Sequence, residues 1–208
     1  MSYGYLGDTS TSIKQQVKNA GVLSVSDVLD LEGKGHLGGS LELIEEQTVS
    51  SVSGVDFINI KENKYDVHYL VGSTTAQSDN TRIRVSNDNG SSFISSGYQY
   101  AQQEGQTGGI FGSLTATSHS DMGYFGLAGT GTNDSTNAYC YFYNLGNSAK
   151  YSFVTNQSIS WANTVGKMTF GGGVQPTAQI INAIRIQVNS GTLTGNFKLY
   201  GVKQLWVL

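Results

Sequence analysis

Tyr139-Cys140-Tyr141-Phe142-Tyr143 is the stretch on which the fold turns. In an extended chain successive side chains point to opposite faces, so Tyr139, Tyr141 and Tyr143 share one face and Cys140 and Phe142 the other. Bulky apolar groups on both faces predict a strand covered on both sides, by a second sheet on one and by a neighbouring subunit on the other. Runs of the same kind lie to either side. Thr81-Arg82-Ile83-Arg84-Val85 alternates strictly, and Val55–Ile60, Tyr65–Val71, Phe93–Tyr100, Tyr124–Leu127, Tyr151–Val154, Met168–Phe170, Ile180–Val188 and Asn196–Val202 read as further strands. With Leu41–Ile44 they make about ten, bounded by Gly, Asn, Asp and Ser clusters. Short strands at even spacing, with no long helices between them, predict an all-β, antiparallel sandwich and exclude an α/β fold.

Composition narrows the function classes. Charged residues are 13% of the 208, about half the ~25% of ordinary domains, so the polar surface falls to Ser, Thr, Asn, Gln and Gly. The lysines and arginines form no cluster, which excludes nucleic acid as a partner. The lone cysteine, Cys140, excludes an intrachain disulfide. No run approaches the ~20 apolar residues of a membrane-spanning helix, so no membrane insertion is expected. Met1–Asp8 lacks the basic and apolar segments of a secretory signal, and the expectation is a protein made in a cytoplasm without a classical export signal.

Two regions are expected. Residues 1–38 carry the helical patterns: Ser12–Asn19 places Ile13 and Val17 four apart, and Ser24–Gly33 gathers Val25, Val28 and Leu29 on one face. Neither helix is long enough to stand alone in water, so Val22, Leu23, Val25, Val28, Leu29 and Leu31 are expected to attach this segment to another surface. Residues 39–208 form the sandwich. Its polar segments 72–80, 104–120 and 129–137 read as long loops, where binding surfaces are commonly built.

Ser86-Asn87-Asp88-Asn89-Gly90-Ser91-Ser92-Phe93 matches the Asp-box of sialidases and other β proteins, a structural turn. Asp88 is expected to accept backbone N–H bonds across a hairpin, Gly90 to take positive φ and Phe93 to pack beneath. His36, His68 and His119 lack metal-ligand spacing, and no metal or cofactor is expected; His68 reads as a half-buried or surface strand residue. Ser118-His119-Ser120-Asp121 is no catalytic triad by sequence, because triads assemble from residues distant in the chain. Glu45-Glu46, Glu104 and Asp121 read as solvated carboxylates rather than a glycosidase pair. No enzyme activity is expected. The candidate binding residues are Tyr98, Tyr100, His119, Asp121, Asn133 and Asp134.

Two further stretches resemble tailed-phage virion proteins. Gly21-Val22-Leu23-Ser24-Val25-Ser26-Asp27-Val28-Leu29-Asp30-Leu31 with Gly35-His36-Leu37-Gly38 is similar to an N-terminal segment of such proteins, with leucine at 23 and 37 where aromatics are usual. Ile181–Ile186 followed by Ser190–Val202 is similar to the C-terminal hairpin of tail-fibre and related jelly-roll proteins of marine phages. The resemblance implies a jelly-roll sandwich and a homotrimer or other symmetric assembly. It also implies a place on the virion, with other virion proteins and a host-surface glycan as partners. A tail fibre or receptor-binding protein is the first reading, a capsid decoration protein the second, and a glycan-acting depolymerase or esterase the third.

Overall fold

The computed structural model describes residues 40–75 and 79–203, and Leu29 besides, which is helical and exposed. The expected helices of residues 1–38, with Val22, Leu23, Val25, Val28 and Leu31, lie outside the described residues. The chain divides into two units, Met1–Leu41 and Glu42–Leu208, and all strand residues but Leu41 belong to the second.

The described residues form twelve strands: β1 (Leu41–Val52), β2 (Gly54–Ile58), β3 (Val67–Thr75), β4 (Thr81–Ser86), β5 (Tyr98–Gln106), β6 (Phe111–His119), β7 (Tyr124–Gly126), β8 (Ser135–Tyr143), β9 (Ser152–Ala162), β10 (Val165–Gln175), β11 (Ala183–Gln187) and β12 (Leu193–Val202). They make an eight-stranded sheet in the order β1-β12-β3-β8-β9-β10-β5-β6 and a four-stranded sheet in the order β2-β11-β4-β7. The protein is thus all-β with antiparallel sheets. No helix of the described residues is long and apolar enough to cross a membrane.

One apolar layer joins the sheets. Phe57, Ile83, Val85, Phe125, Ile184 and Ile186 come from the small sheet, and Leu70, Cys140, Phe142, Phe197 and Leu199 from the large one, all fully buried. The rings of Phe125 and Phe197 stand 6.1 Å apart. Gly72 lies against the Phe197 ring with no room for a Cβ, which lets the aromatic pair sit flush on β3. Cys140 is a packing residue here, and burial pushes its thiol pKa up, away from reactivity.

Of the three segments expected as loops, one is mostly strand and the other two are shortened by the strands beside them, 129–134 remaining a loop. β3 runs to Thr75, β8 begins at Ser135, and 104–120 is mostly the β5–β6 hairpin. Its edge strand, Phe111-Gly112-Ser113-Leu114-Thr115-Ala116-Thr117-Ser118-His119, buries little on either face, so it shows no apolar alternation to read.

β9 alternates strictly in burial, with Val154 and Ala162 inside, but much of its inner face is polar and much of its outer face apolar. Ser152, Asn156, Ser158 and Ser160 are buried, while Phe153, Ile159 and Trp161 are exposed. Hydrogen bonds satisfy most of the inward polar layer: Ser158 to Thr169 at 2.6 Å, Thr136 to Ser160 at 2.9 Å, Gln102 Nε2 to Asn156 Oδ1 at 2.5 Å and Asn156 Nδ2 to the Tyr124 carbonyl at 2.7 Å. Without such partners these groups would cost on the order of 1–3 kcal/mol each.

β10 fits between β9 and β5 through Gly171-Gly172-Gly173. A Cβ at Gly171 would strike the Ala101 carbonyl oxygen, one at Gly172 that of Val154, and one at Gly173 that of Met122. These obstacles are backbone and cannot rotate away. Gly173→Ala is therefore expected to destabilise the fold by about 3 kcal/mol or to prevent folding, read as a lowered urea midpoint or as loss of soluble expression.

Candidate functional site

The chain brings Tyr100, His119 and Asp121 together, with Arg82, Arg84 and Tyr124 around them. Period-two geometry puts Arg82 and Arg84 on one face of β4, beside the segment between β6 and β7. Asp121 is 1% exposed. It accepts from Arg84 Nε at 2.6 Å, and Arg82 Nη1 lies 3.8 Å away. The Arg82 guanidinium stands 4.6 Å over the Tyr124 ring. Tyr124 meets Tyr100 edge-on at 5.8 Å, and Tyr100 meets His119 edge-on at 5.3 Å. Burial, with Tyr124 as a neighbour, pushes the Tyr100 hydroxyl up to about 12.

The cluster's hydrogen bonds are those of a structural knot. The backbone N–H of Asp121 donates to His119 Nδ1 at 3.1 Å, so this nitrogen has no proton to give the carboxylate. The Ser120 hydroxyl donates to Asp121 Oδ2 at 2.9 Å, facing the acid instead of a base. A relay from serine through histidine to aspartate needs the opposite wiring.

The other candidates separate. Tyr98 is fully buried and is no surface residue: its hydroxyl is tied to the Val85 backbone at 3.1 Å, and burial raises its pKa. Asp134 is buried too, accepting from the N–H groups of Gly131 at 2.8 Å and Asn163 at 3.1 Å. It holds the loop before β8 to the β9–β10 turn. Asn133 beside it is exposed. His68 is fully buried rather than half-buried or at the surface, with Nε2 2.8 Å from the Ile60 carbonyl, and desolvation lowers its pKa. Among the described residues no group of three or more His, Cys, Asp or Glu is placed to hold a metal ion.

Asp88 accepts from the Ser86 hydroxyl at 2.6 Å, the Ser92 N–H at 2.9 Å and the Ser92 hydroxyl at 2.6 Å. Gly90 has φ 84°. The turn closes no hairpin, however. Ile94 returns once to β4, donating to the Val85 carbonyl at 3.0 Å, and the chain then crosses to β5 in the other sheet. Phe93 lies under the Arg185 guanidinium at 3.9 Å.

What the reading of Tyr139–Tyr143 did not show is how far the outer face of the large sheet extends beyond β8. Registers place its residues in rows from β3 to β6. One row runs Tyr69, Tyr141, Thr155, Gly172, Ala101, Thr115. The next runs Val71, Tyr139, Gln157, Phe170, Gln103, Ser113. A third runs Ser73, Asn137, Ile159, Met168, Gly105, Phe111. Not one charged residue stands in these rows. Charge resumes at Lys198 and Glu46, on the β12–β1 side, where they pair at 3.2 Å. Tyr69 stacks 4.8 Å from Tyr141 and 6.0 Å from Tyr200, and desolvation raises its pKa. A trough of about 760 Å³ lies over Ala101, Gly172 and Gly173 between Phe153 and Thr115, and a hollow of about 230 Å³ lies between Phe111, Ile159 and Met168.

No family model, curated protein or solved structure matches this chain. The geometry is therefore what speaks to function.

Two measurements test the cluster and the turn. Asp121→Ala leaves Arg84 and Arg82 without their buried acceptor and is expected to cost about 3 kcal/mol in urea unfolding. The hydrogen bonds from Ser86 and Ser92 hold the Asp88 carboxyl at about 2, below its ordinary 3.8. A depressed carboxylate contributes stability that is full above the unfolded value and is lost as pH falls through the folded one. The deficit of Asp88→Asn relative to the parent at pH 6 should therefore shrink steadily between pH 4 and pH 2.

Proposed function

We propose that this chain is a non-catalytic structural component of a tailed-phage virion. In this reading it is a tail-fibre or receptor-binding protein that attaches through residues 1–38 and presents a jelly-roll body. Other virion proteins and further copies of itself are its partners, with a host-surface glycan as the ligand of the adhesive form.

The strand order supports the jelly-roll part. With the β5–β6 and β9–β10 hairpins set aside, eight strands remain as β1-β12-β3-β8 and β2-β11-β4-β7. Each sheet then mixes early and late strands as two nested Greek keys do. The two hairpins are insertions that widen one sheet only.

The observation that carries the functional reading is the charge-free outer face of that widened sheet. A broad, rigid, neutral surface rich in Tyr and Phe suits adhesion and assembly. Chemistry needs convergent titratable groups in a recess, and among the described residues the buried charged cluster at Asp121 is wired as a knot.

Localisation on the particle tests the reading. Electron microscopy of virions carrying a tagged copy should place the protein on the tail, and a deletion phage should adsorb poorly. Density on the capsid shell would move it to a decoration role. Sugar release from host polysaccharide by the purified protein would replace the whole reading with an enzyme.

A further inference from the structure

We propose that the outer face of the eight-stranded sheet, centred on β9 and β10, is a self-association surface covered by another copy of this chain. The inference rests on the self-assembly part of the function proposed above and is independent of where on a particle the protein sits.

The first support is the polarity of β9, whose inner face is mostly polar around Val154 and Ala162 and whose outer face carries large apolar groups beside Thr155 and Gln157. A strand with a solvent face normally turns its polar residues outward and its apolar ones inward. Here Ser152, Asn156, Ser158 and Ser160 are inside, while Ile159 is 62% and Trp161 50% exposed. The neighbours continue the pattern, with Phe170 at 51% and Phe111 at 80%. Single exposed apolar residues need no explanation, but a contiguous field of them marks a contact surface.

The second is charge. Asp, Glu, Lys and Arg are missing from the outward positions of β3, β8, β9, β10 and β5. Depletion of charge at the centre, with enrichment in aromatics and Met, is the composition of an interface core. Charged residues do occur on the flank, at Lys198 and Glu46, where a polar rim belongs.

Area and relief point to a second copy as the occupant. Six strands about 4.8 Å apart and five outward positions along each give a face of roughly 24 by 27 Å. That is on the order of 650 Å² before side-chain relief, close to the ~800 Å² each partner contributes to a stable complex. The face also carries both projections and recesses. The Phe111 and Trp161 rings stand out from it, and the trough over Gly172 and the hollow at Met168 sink into it. A surface that contacts its own copy must be self-complementary in this way.

The test is the mass of the full-length protein by light scattering or sedimentation, with Ile159→Lys and Phe170→Glu beside the parent and Ser95→Lys as a control. All three positions are exposed in the single chain, so the fold should survive, as circular dichroism would verify. The parent and the control are expected as closed oligomers at micromolar concentration. The two face variants should shift at least tenfold toward monomer, and acrylamide should quench Trp161 more strongly in them, read in a Trp206→Phe background. A monomeric parent overturns the proposal and leaves the face to residues 1–38 or to a neutral glycan. An oligomer that both face variants leave intact also overturns it, while the assembly itself stands and is held elsewhere.

Discussion

The widened sheet depends on one constraint of space: β10 must approach its neighbours more closely than any side chain allows. At Gly171, Gly172 and Gly173 the space a Cβ would need is filled by carbonyl oxygens of Ala101, Val154 and Met122. Those oxygens belong to β5, β9 and the segment before β7, the three parts of the chain that β10 holds together. The hydrogen-bonded layer of Gln102, Asn156, Ser158 and Thr169 can close beneath it only because this approach is allowed. The trough in the outer face over Gly172 and Gly173 lies where these side chains are missing.

The protein therefore has two interiors of different chemistry. Between the sheets, around Phe57, Phe125, Phe142 and Phe197, the interior is apolar and holds by exclusion of water. Beneath β9, β10 and β5 it is polar and holds by matched donors and acceptors, which are directional and fix register. The Asp121 knot with Arg82 and Arg84 stands beside this second interior and ties the small sheet to it. Tyr100 and His119 are packed around the knot, edge to face with each other.

Much of the first interior was legible in the sequence. Thr81–Val85 alternates as a half-buried strand does, Tyr139–Tyr143 is bulky on both faces, and both are strands of the common core. The second was not, for a physical reason. A reader of alternation assigns the apolar positions to the inside, so β9 yields only the run Tyr151–Val154, and β10 only Met168–Phe170 before its glycines. Tertiary hydrogen bonds, invisible to pattern, let the polar positions face inward. The site residues failed in a similar way. Tyr98 and Asp134, the latter inside the polar segment 129–137, were candidates for binding, but the structure ties their polar atoms to Val85, Gly131 and Asn163. The Asp88 turn was legible because its chemistry is local, whereas its crossing from one sheet to the other was not.

The place of β12 has a consequence for how the chain is made. It lies between β1 and β3, so the earliest strand of the large sheet has no lateral partner until the latest one has left the ribosome. Until then β1 has only water or a foreign strand to pair with, and Glu42, Glu45 and Glu46 along it are a guard suited to that wait. Closing a contact across so much chain is slow. A chain cut short before Leu193 would thus lose the link between β1 and β3 rather than one edge strand.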